Sequence, residues 1–209
     1  MEDRPSLQST GGGIVERAKA IIMQPKAEWA KVAGETAEPT KVLLGYALPL
    51  ILIGPIATLI GGQLFGFNMG IASFKPTLGL SLTLAVTSLV QSVIMLFVIA
   101  FAANFLSPKF GGKDNFPAAF RLVAYSMTAA WLAGIFGLIP ALGILALLGL
   151  YSFYLFYLGA TPVMGVPEDK TVTYTVVTVV VAIVVYVILA TIVGAITGGM
   201  MLASGMAAV

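Results

Sequence analysis

The stretch LVAYSMTAAWLAGIFGLIPALGILALLGLYSFYLFYLGATPVMGVP, residues 122–167, decides the fold because it contains no charged residue. At 1.5 Å per residue, these 46 residues would form a helix about 69 Å long, whereas about 20 residues cross a bilayer core about 30 Å thick. The stretch is therefore expected to cross a membrane twice. Three other uncharged runs, residues 42–74, 76–108 and 171–209, are each long enough to cross once.

The composition restricts these spans to helices. Apolar residues make up 59% of the chain and charged residues 10%, against about 25% charged residues in soluble domains. A backbone in lipid must satisfy its hydrogen bonds within a helix or a closed barrel, and the runs here are continuous rather than alternating. We predict an all-α membrane protein, a bundle of five transmembrane helices preceded by a short amphipathic helical segment at the cytoplasmic or interfacial level.

The predicted organisation has four parts. A disordered tail covers residues 1–13, an amphipathic segment 14–41, the five-helix domain 42–197 and a short C-terminal tail 198–209. The spans are placed at about 42–66, 78–106, 118–139, 144–164 and 172–197, with a tight turn at 140–143. Small-residue spacing at Gly62/Gly66/Gly70 and Gly194/Gly198 favours close helix approach at those positions.

Residues 14–41 show apolar side chains at helical spacing, and Pro25 is expected to split them into two short helices. Trp29 suits the headgroup region, which favours a segment lying in the membrane interface. A helical segment packed on the cytoplasmic loops is the alternative.

Positive charge predicts the orientation. With the N-terminus inside, ten Lys and Arg residues lie on the inner side and only Lys75 lies outside. Positive residues collect on the cytoplasmic side of membrane proteins. We therefore expect a cytoplasmic N-terminus and a C-terminus on the opposite side.

Missing residue types exclude several function classes. The chain has no His and no Cys, which removes imidazole bases, thiolate nucleophiles and thiolate metal ligands. No acidic residue lies within the predicted spans, although proton relays and paired-aspartate proteases need one there. We predict no catalytic residue, no cofactor and no metal site, and hence no enzyme. The net charge of +2 without a basic block predicts no nucleic-acid partner.

Polar residues near the predicted inner surface are the candidates for contact with a protein partner or a lipid headgroup. They comprise Trp29, Lys109, Lys113, Asp114 and Arg121. The competing structural interpretation is that Asp114 or Asn115 caps the following helix and that Arg121 extends its charge to the interface.

Two amides stand inside the second span. Gln91 and Asn104 are expected to face the bundle and to bond to a neighbouring helix or a carbonyl, because polar side chains in lipid need partners. The same polar face could instead line a transport path, although such paths usually carry charge.

Residues 110–159 carry a likeness to a known family. The matching elements are Phe110-Gly111-Gly112, Ala119-Phe120, Val123-Ala124-Tyr125-Ser126, Ile139-Pro140, Gly149, Tyr151 and Gly159, with Pro25, Trp29 and the stretch from Tyr46 to Pro49 upstream. On these residues the chain resembles the Yip1 domain family in its bacterial form, over about residues 14–197. It departs from the family at Ala129 and Ala130, where a proline is common, and in lacking the acidic motif of the eukaryotic domain.

The resemblance implies an integral protein of the bacterial inner membrane. Such a protein would bind a membrane or cytoplasmic protein partner, or organise membrane lipids, with a homo-oligomer as a further option. The Rab GTPase contacts of eukaryotic members are not carried over, since their motif is missing. The alternative function is a small oligomeric transporter or channel that uses the polar face of the second span.

Overall fold

The computed structural model describes residues 10–68 and 73–203. Within them are five helices long and apolar enough to cross a membrane, so the predicted five-span, all-α membrane protein is confirmed. The helices are Pro39–Phe65, Leu78–Phe110, Phe116–Leu138, Pro140–Met164 and Glu168–Ala195, called here spans one to five. A short antiparallel ladder of β1 (Phe67–Asn68) and β2 (Ser73–Phe74) links spans one and two.

The described residues begin with two short helices, α1 (Thr10–Met23) and α2 (Pro25–Ala33), called here the N-terminal arm. Pro25 stands at the start of α2 and separates the two helices, as predicted. Trp29 and Val32 have no exposed surface because the arm packs on the end of the bundle. The structure therefore matches the alternative of a packed helical segment. The predicted disordered tail overlaps α1 at residues 10–13, and residues 1–9 lie outside the described residues.

Span one contains two prolines, Pro49 and Pro55, that have no N–H to give to the helix ladder, and it is divided into several segments. The span comprises α3 (Pro39–Val42), a π-helical turn (Leu43–Ala47), α4 (Leu48–Ile51) and α5 (Ile53–Phe65). In the π turn the Leu48 N–H donates to the carbonyl of Leu43, five residues earlier. The turn brings Tyr46 and Ala47 into the buried face of the span.

Spans three and four meet at a sharper reversal than predicted. Span three comprises α7 (Phe116–Ser126), α8 (Thr128–Ala133) and a 3₁₀ segment (Gly134–Leu138), and span four comprises a 3₁₀ segment (Pro140–Leu150) and α9 (Tyr151–Met164). The predicted turn at 140–143 is wrong. The chain reverses at Ile139, whose backbone is extended, and Pro140 already begins the next helix. A residue before proline is driven into extended conformations, which explains the position.

Spans two and five are long helices. Span two comprises α6 (Leu78–Leu106) and a 3₁₀ turn (Ser107–Phe110), and span five is the first part of α10 (Glu168–Ala203). The helix α10 extends into the predicted C-terminal tail 198–209, of which residues 204–209 lie outside the described residues.

The bundle has two ends, called here the N-terminal face and the opposite face. The N-terminal face carries the N-terminal arm and the loops at 107–117 and 165–167, and the opposite face carries β1, β2 and the reversal at Ile139. Near the opposite face, spans one and three approach through glycines. A Cβ added to Gly61 would lie 2.5 Å from the Gly137 carbonyl oxygen. A Cβ added to Gly194 would have no atom of another described helix within 4 Å, so close approach at Gly194/Gly198 stays a prediction, and Gly70 lies outside the described residues.

Candidate functional site

The loop at residues 107–117, called here the glycine loop, is held in one shape by its backbone. Gly111 adopts a left-handed conformation with φ of 84°, which favours glycine. A Cβ on Gly112 would lie 2.3 Å from Ser107 Oγ and 2.9 Å from the Met164 carbonyl oxygen. The Lys113 N–H donates to that same Met164 carbonyl over 2.8 Å. The loop is therefore fixed to the end of span four.

Three of the five candidate contact residues lie on this loop with their side chains exposed. Lys109 Nζ stands 3.9 Å from the centroid of the Phe105 ring, a cation–π contact. The Lys113 stem lies against Gly165, where an added Cβ would be 3.2 Å from Lys113 Cε. The loop thus presents two ammonium groups and the Asp114 carboxylate at the N-terminal face.

Asn104 connects span two to the glycine loop. Its Nδ2 donates to Asp114 Oδ1 and its Oδ1 accepts from the Asn115 backbone N–H, each over 2.8 Å. Asn115 Oδ1 in turn accepts from the Ala118 N–H over 3.0 Å. Of the two caps that the sequence allows, Asn115 is the one observed. Asn104 therefore orients Asp114.

The other two candidate contact residues, Trp29 and Arg121, are buried. Trp29 has 0% of its surface exposed and Arg121 has 5%. Arg121 Nη1 donates to the Ala37 carbonyl over 3.0 Å, and its Nε has no partner among the described residues. Neither side chain can reach a partner or a lipid headgroup in this conformation, and Arg121 does not extend to the interface as expected.

The Trp29 ring fills a slot made by a glycine of span four. A Cβ on Gly159 would lie 2.7 Å from Trp29 Cε2 and 2.5 Å from Leu122 Cδ1. The ring centroids of Trp29 and Tyr125 are 6.5 Å apart in a tilted arrangement. Because glycine leaves this space, the indole joins α2 to spans three and four.

An ion-pair network that sequence reasoning missed connects the two helices of the arm. Arg17 Nη1 bonds to Glu28 Oε1 over 2.7 Å, and Arg17 Nη2 bonds to Glu35 Oε1. Lys31 Nζ also bonds to Glu28, over 2.9 Å. Burial disfavours the charged guanidinium, but the neighbouring carboxylates, Glu35 above all, outweigh it and raise the pKa of Arg17.

The same guanidinium touches the bundle. Its carbon Cζ stands 5.2 Å from the centroid of the Tyr125 ring. The Tyr125 ring meets Tyr46 edge to face at 4.8 Å, and Tyr46 Oη lies 2.6 Å from Thr128 Oγ1. On span four, Tyr151 Oη donates to the Ile22 carbonyl over 3.2 Å. Three of the residues that carry the family likeness, Tyr46, Tyr125 and Tyr151, thus lie where the arm joins the spans.

Gln91, the other amide of span two, has a different environment from that of Asn104. Gln91 makes no side-chain hydrogen bond to any other described residue. It lines a cavity of about 1020 Å³ between spans two, three, four and five, and also a smaller cavity of about 250 Å³ beside span one. The expected bond from Gln91 to a neighbouring helix is not seen among the described residues.

Comparison with known proteins agrees with this arrangement. The sequence profile of the Yip1 domain family matches residues 19–206. The match includes α2, all five spans and the glycine loop. Neither the curated proteins nor the solved structures contained a match.

Proposed function

The chain belongs to the Yip1 domain family of membrane proteins, and from that premise we propose that it binds a protein partner through the glycine loop at its N-terminal face. The partner is a membrane or cytoplasmic protein, and the chain acts without catalytic chemistry. The observation that carries the proposal is the rigid attachment of an exposed, charged loop to spans two and four. Binding residues are often found on loops that a rigid scaffold positions.

The loop's charges indicate the kind of surface that would fit it. Lys109 and Lys113 supply two positive charges, and Asp114 is already engaged by Asn104. Such a surface complements acidic side chains of a partner, because matched charges steer association and reject wrong partners. The positive-inside rule predicts that this face lies in the cytoplasm, at the inner membrane of a bacterium.

The alternative, a transporter or channel, has less support. A path across the membrane must continue through the half of the bundle next to the N-terminal face. Large buried side chains such as Phe120, Leu155 and Tyr174 occupy that half. We therefore place the function at the face rather than along the polar side of span two.

A photo-crosslinking probe at Lys113 in living cells tests the proposal. We expect an adduct with one other protein, reduced about tenfold or more by Lys109→Glu, since like charges across an interface are strongly unfavourable. Lys26→Glu is the matched control, because Lys26 is also exposed and lies on α2 away from the loop. Adducts with lipid or with a second copy alone would overturn protein binding in favour of membrane organisation or oligomerisation. If neither Lys109→Glu nor Lys26→Glu reduced the adducts, the glycine loop would not be the binding surface.

A further inference from the structure

The larger cavity has the volume of a ligand site and is open to the surface of the bundle beside spans four and five. Its volume of about 1020 Å³ lies at the upper end of the range for small-molecule sites, about 300–1,000 Å³. The room exists because small residues line spans three and four. They are Ala130, Ala133, Gly134, Gly143, Ala146 and Gly149. The 3₁₀ segment Pro140–Leu150 forms one wall and packs mainly on span three, which leaves space towards span five.

Four polar groups line this cavity without a side-chain hydrogen bond to another described residue. They are the Gln91 amide, the Trp131 indole N–H and the hydroxyls of Ser88 and Tyr186. In hydrocarbon an unpaired donor is costly, since no water replaces the missing bond. All four groups can donate, so an acceptor oxygen on a ligand would satisfy one or more of them.

The ligand's charge follows from the same lining. No charged side chain is among the described residues around the cavity. Gln91 stands near the middle of α6 (Leu78–Leu106), far from the charged ends of the bundle. A phosphate or carboxylate would be unpaired at this depth, which excludes an anionic headgroup there.

We propose that this cavity binds a neutral lipid whose polar group is a carbonyl, either a prenylated quinone or an acyl ester. The carbonyl accepts hydrogen bonds from both Gln91 and Trp131, and the apolar chain occupies the space beside spans four and five. The site is separate from the glycine loop and depends on no part of the proposed partner binding.

Binding can be measured by the fluorescence of Trp131, since quinones quench tryptophan fluorescence on contact. The full chain in phosphatidylcholine vesicles is titrated with decylubiquinone, a short-chain quinone. We expect saturable quenching that Trp131→Phe removes, leaving Trp29, which is buried at the N-terminal face, as an internal reference. Gln91→Leu should raise the dissociation constant for the quinone about fivefold, which is the effect of losing one net hydrogen bond.

Further variants separate a built site from quinone dissolved in the bilayer. Ala146→Phe should fill the cavity and abolish saturation. Thr83→Val, on an exposed part of span two, should change nothing. Displacement by a long-chain ethyl ester would extend the site to acyl esters, and failure to displace would restrict it to quinones. Linear quenching, or saturable quenching unchanged by Gln91→Leu, would overturn the proposal even if Ala146→Phe failed to fold.

Discussion

The half of the bundle next to the N-terminal face and the half next to the opposite face are held together by different means. In the first half, Trp29, Phe120 and Tyr174 have no exposed surface. Tyr174 Oη donates to the Ala103 carbonyl over 2.9 Å and so joins spans five and two. In the second half, every residue of 140–150 keeps part of its surface exposed, and spans one and three meet through glycines.

The difference follows from the solvent around each half. Lipid tails are as apolar as the side chains, so a span gains little from hiding apolar surface within the membrane. The half next to the opposite face can therefore stay open and retain the cavity. At the N-terminal face the arm meets water, and burial of Trp29 is favoured by the hydrophobic effect. One half consequently fixes the shape while the other leaves room for a ligand.

The largest loss of stability is expected from Trp29→Ala, which removes a buried side chain from the half next to the N-terminal face. Truncating a fully buried tryptophan costs about 3–5 kcal/mol. We expect that loss in the free energy of unfolding, measured by detergent titration, together with faster tryptic cleavage after Lys26. Trp131→Ala is the matched control, because Trp131 is partly exposed and lines the cavity. Equal losses for the two variants would contradict the contrast between the halves.

A smaller effect is expected from Gly61→Ala, which tests the glycine contact of the second half. The new Cβ would meet the carbonyl oxygens of Gly137 and Leu138, both at 2.5 Å, and overpacking costs about 1–3 kcal/mol. Gly79→Ala serves as the control, since a Cβ there has nothing within 4 Å. Unfolding of both variants should be compared by the same titration. A Gly61→Ala protein as stable as the control would show that the contact can relax.

The smallest effect is expected from Tyr174→Phe, which removes the hydroxyl bonded to Ala103. Hydrogen bonds between membrane helices contribute about 0.6 kcal/mol on average, so we expect a loss of that size. Tyr186→Phe provides the comparison within span five, because Tyr186 is 55% exposed. Its stability should not change. A larger loss of stability for Tyr186→Phe than for Tyr174→Phe would contradict the conclusion that the half next to the N-terminal face fixes the shape.

Two local features were predicted from short stretches of sequence, the split at Pro25 and a helix cap at Asp114 or Asn115. Both depend on residues within one helical turn. The ion pairs from Arg17 to Glu28 and Glu35 span 11 and 18 residues, so no helical spacing could indicate them. The contact roles of Lys109, Lys113 and Asp114 remain predictions, while the burial of Trp29 and Arg121 places those two inside the molecule.

By itself, the sequence determined five membrane spans, their approximate limits and the family likeness. It could do so because the length of a span follows from bilayer thickness, and because uncharged apolar runs mark the spans directly. Only the tertiary structure decided which polar groups are paired, buried or left facing a cavity. Gln91 and Asn104 lie on the same helix, yet Asn104 meets the glycine loop while Gln91 faces the space between four spans. The residues opposite a side chain come from distant parts of the chain, and the packing of the spans selects them.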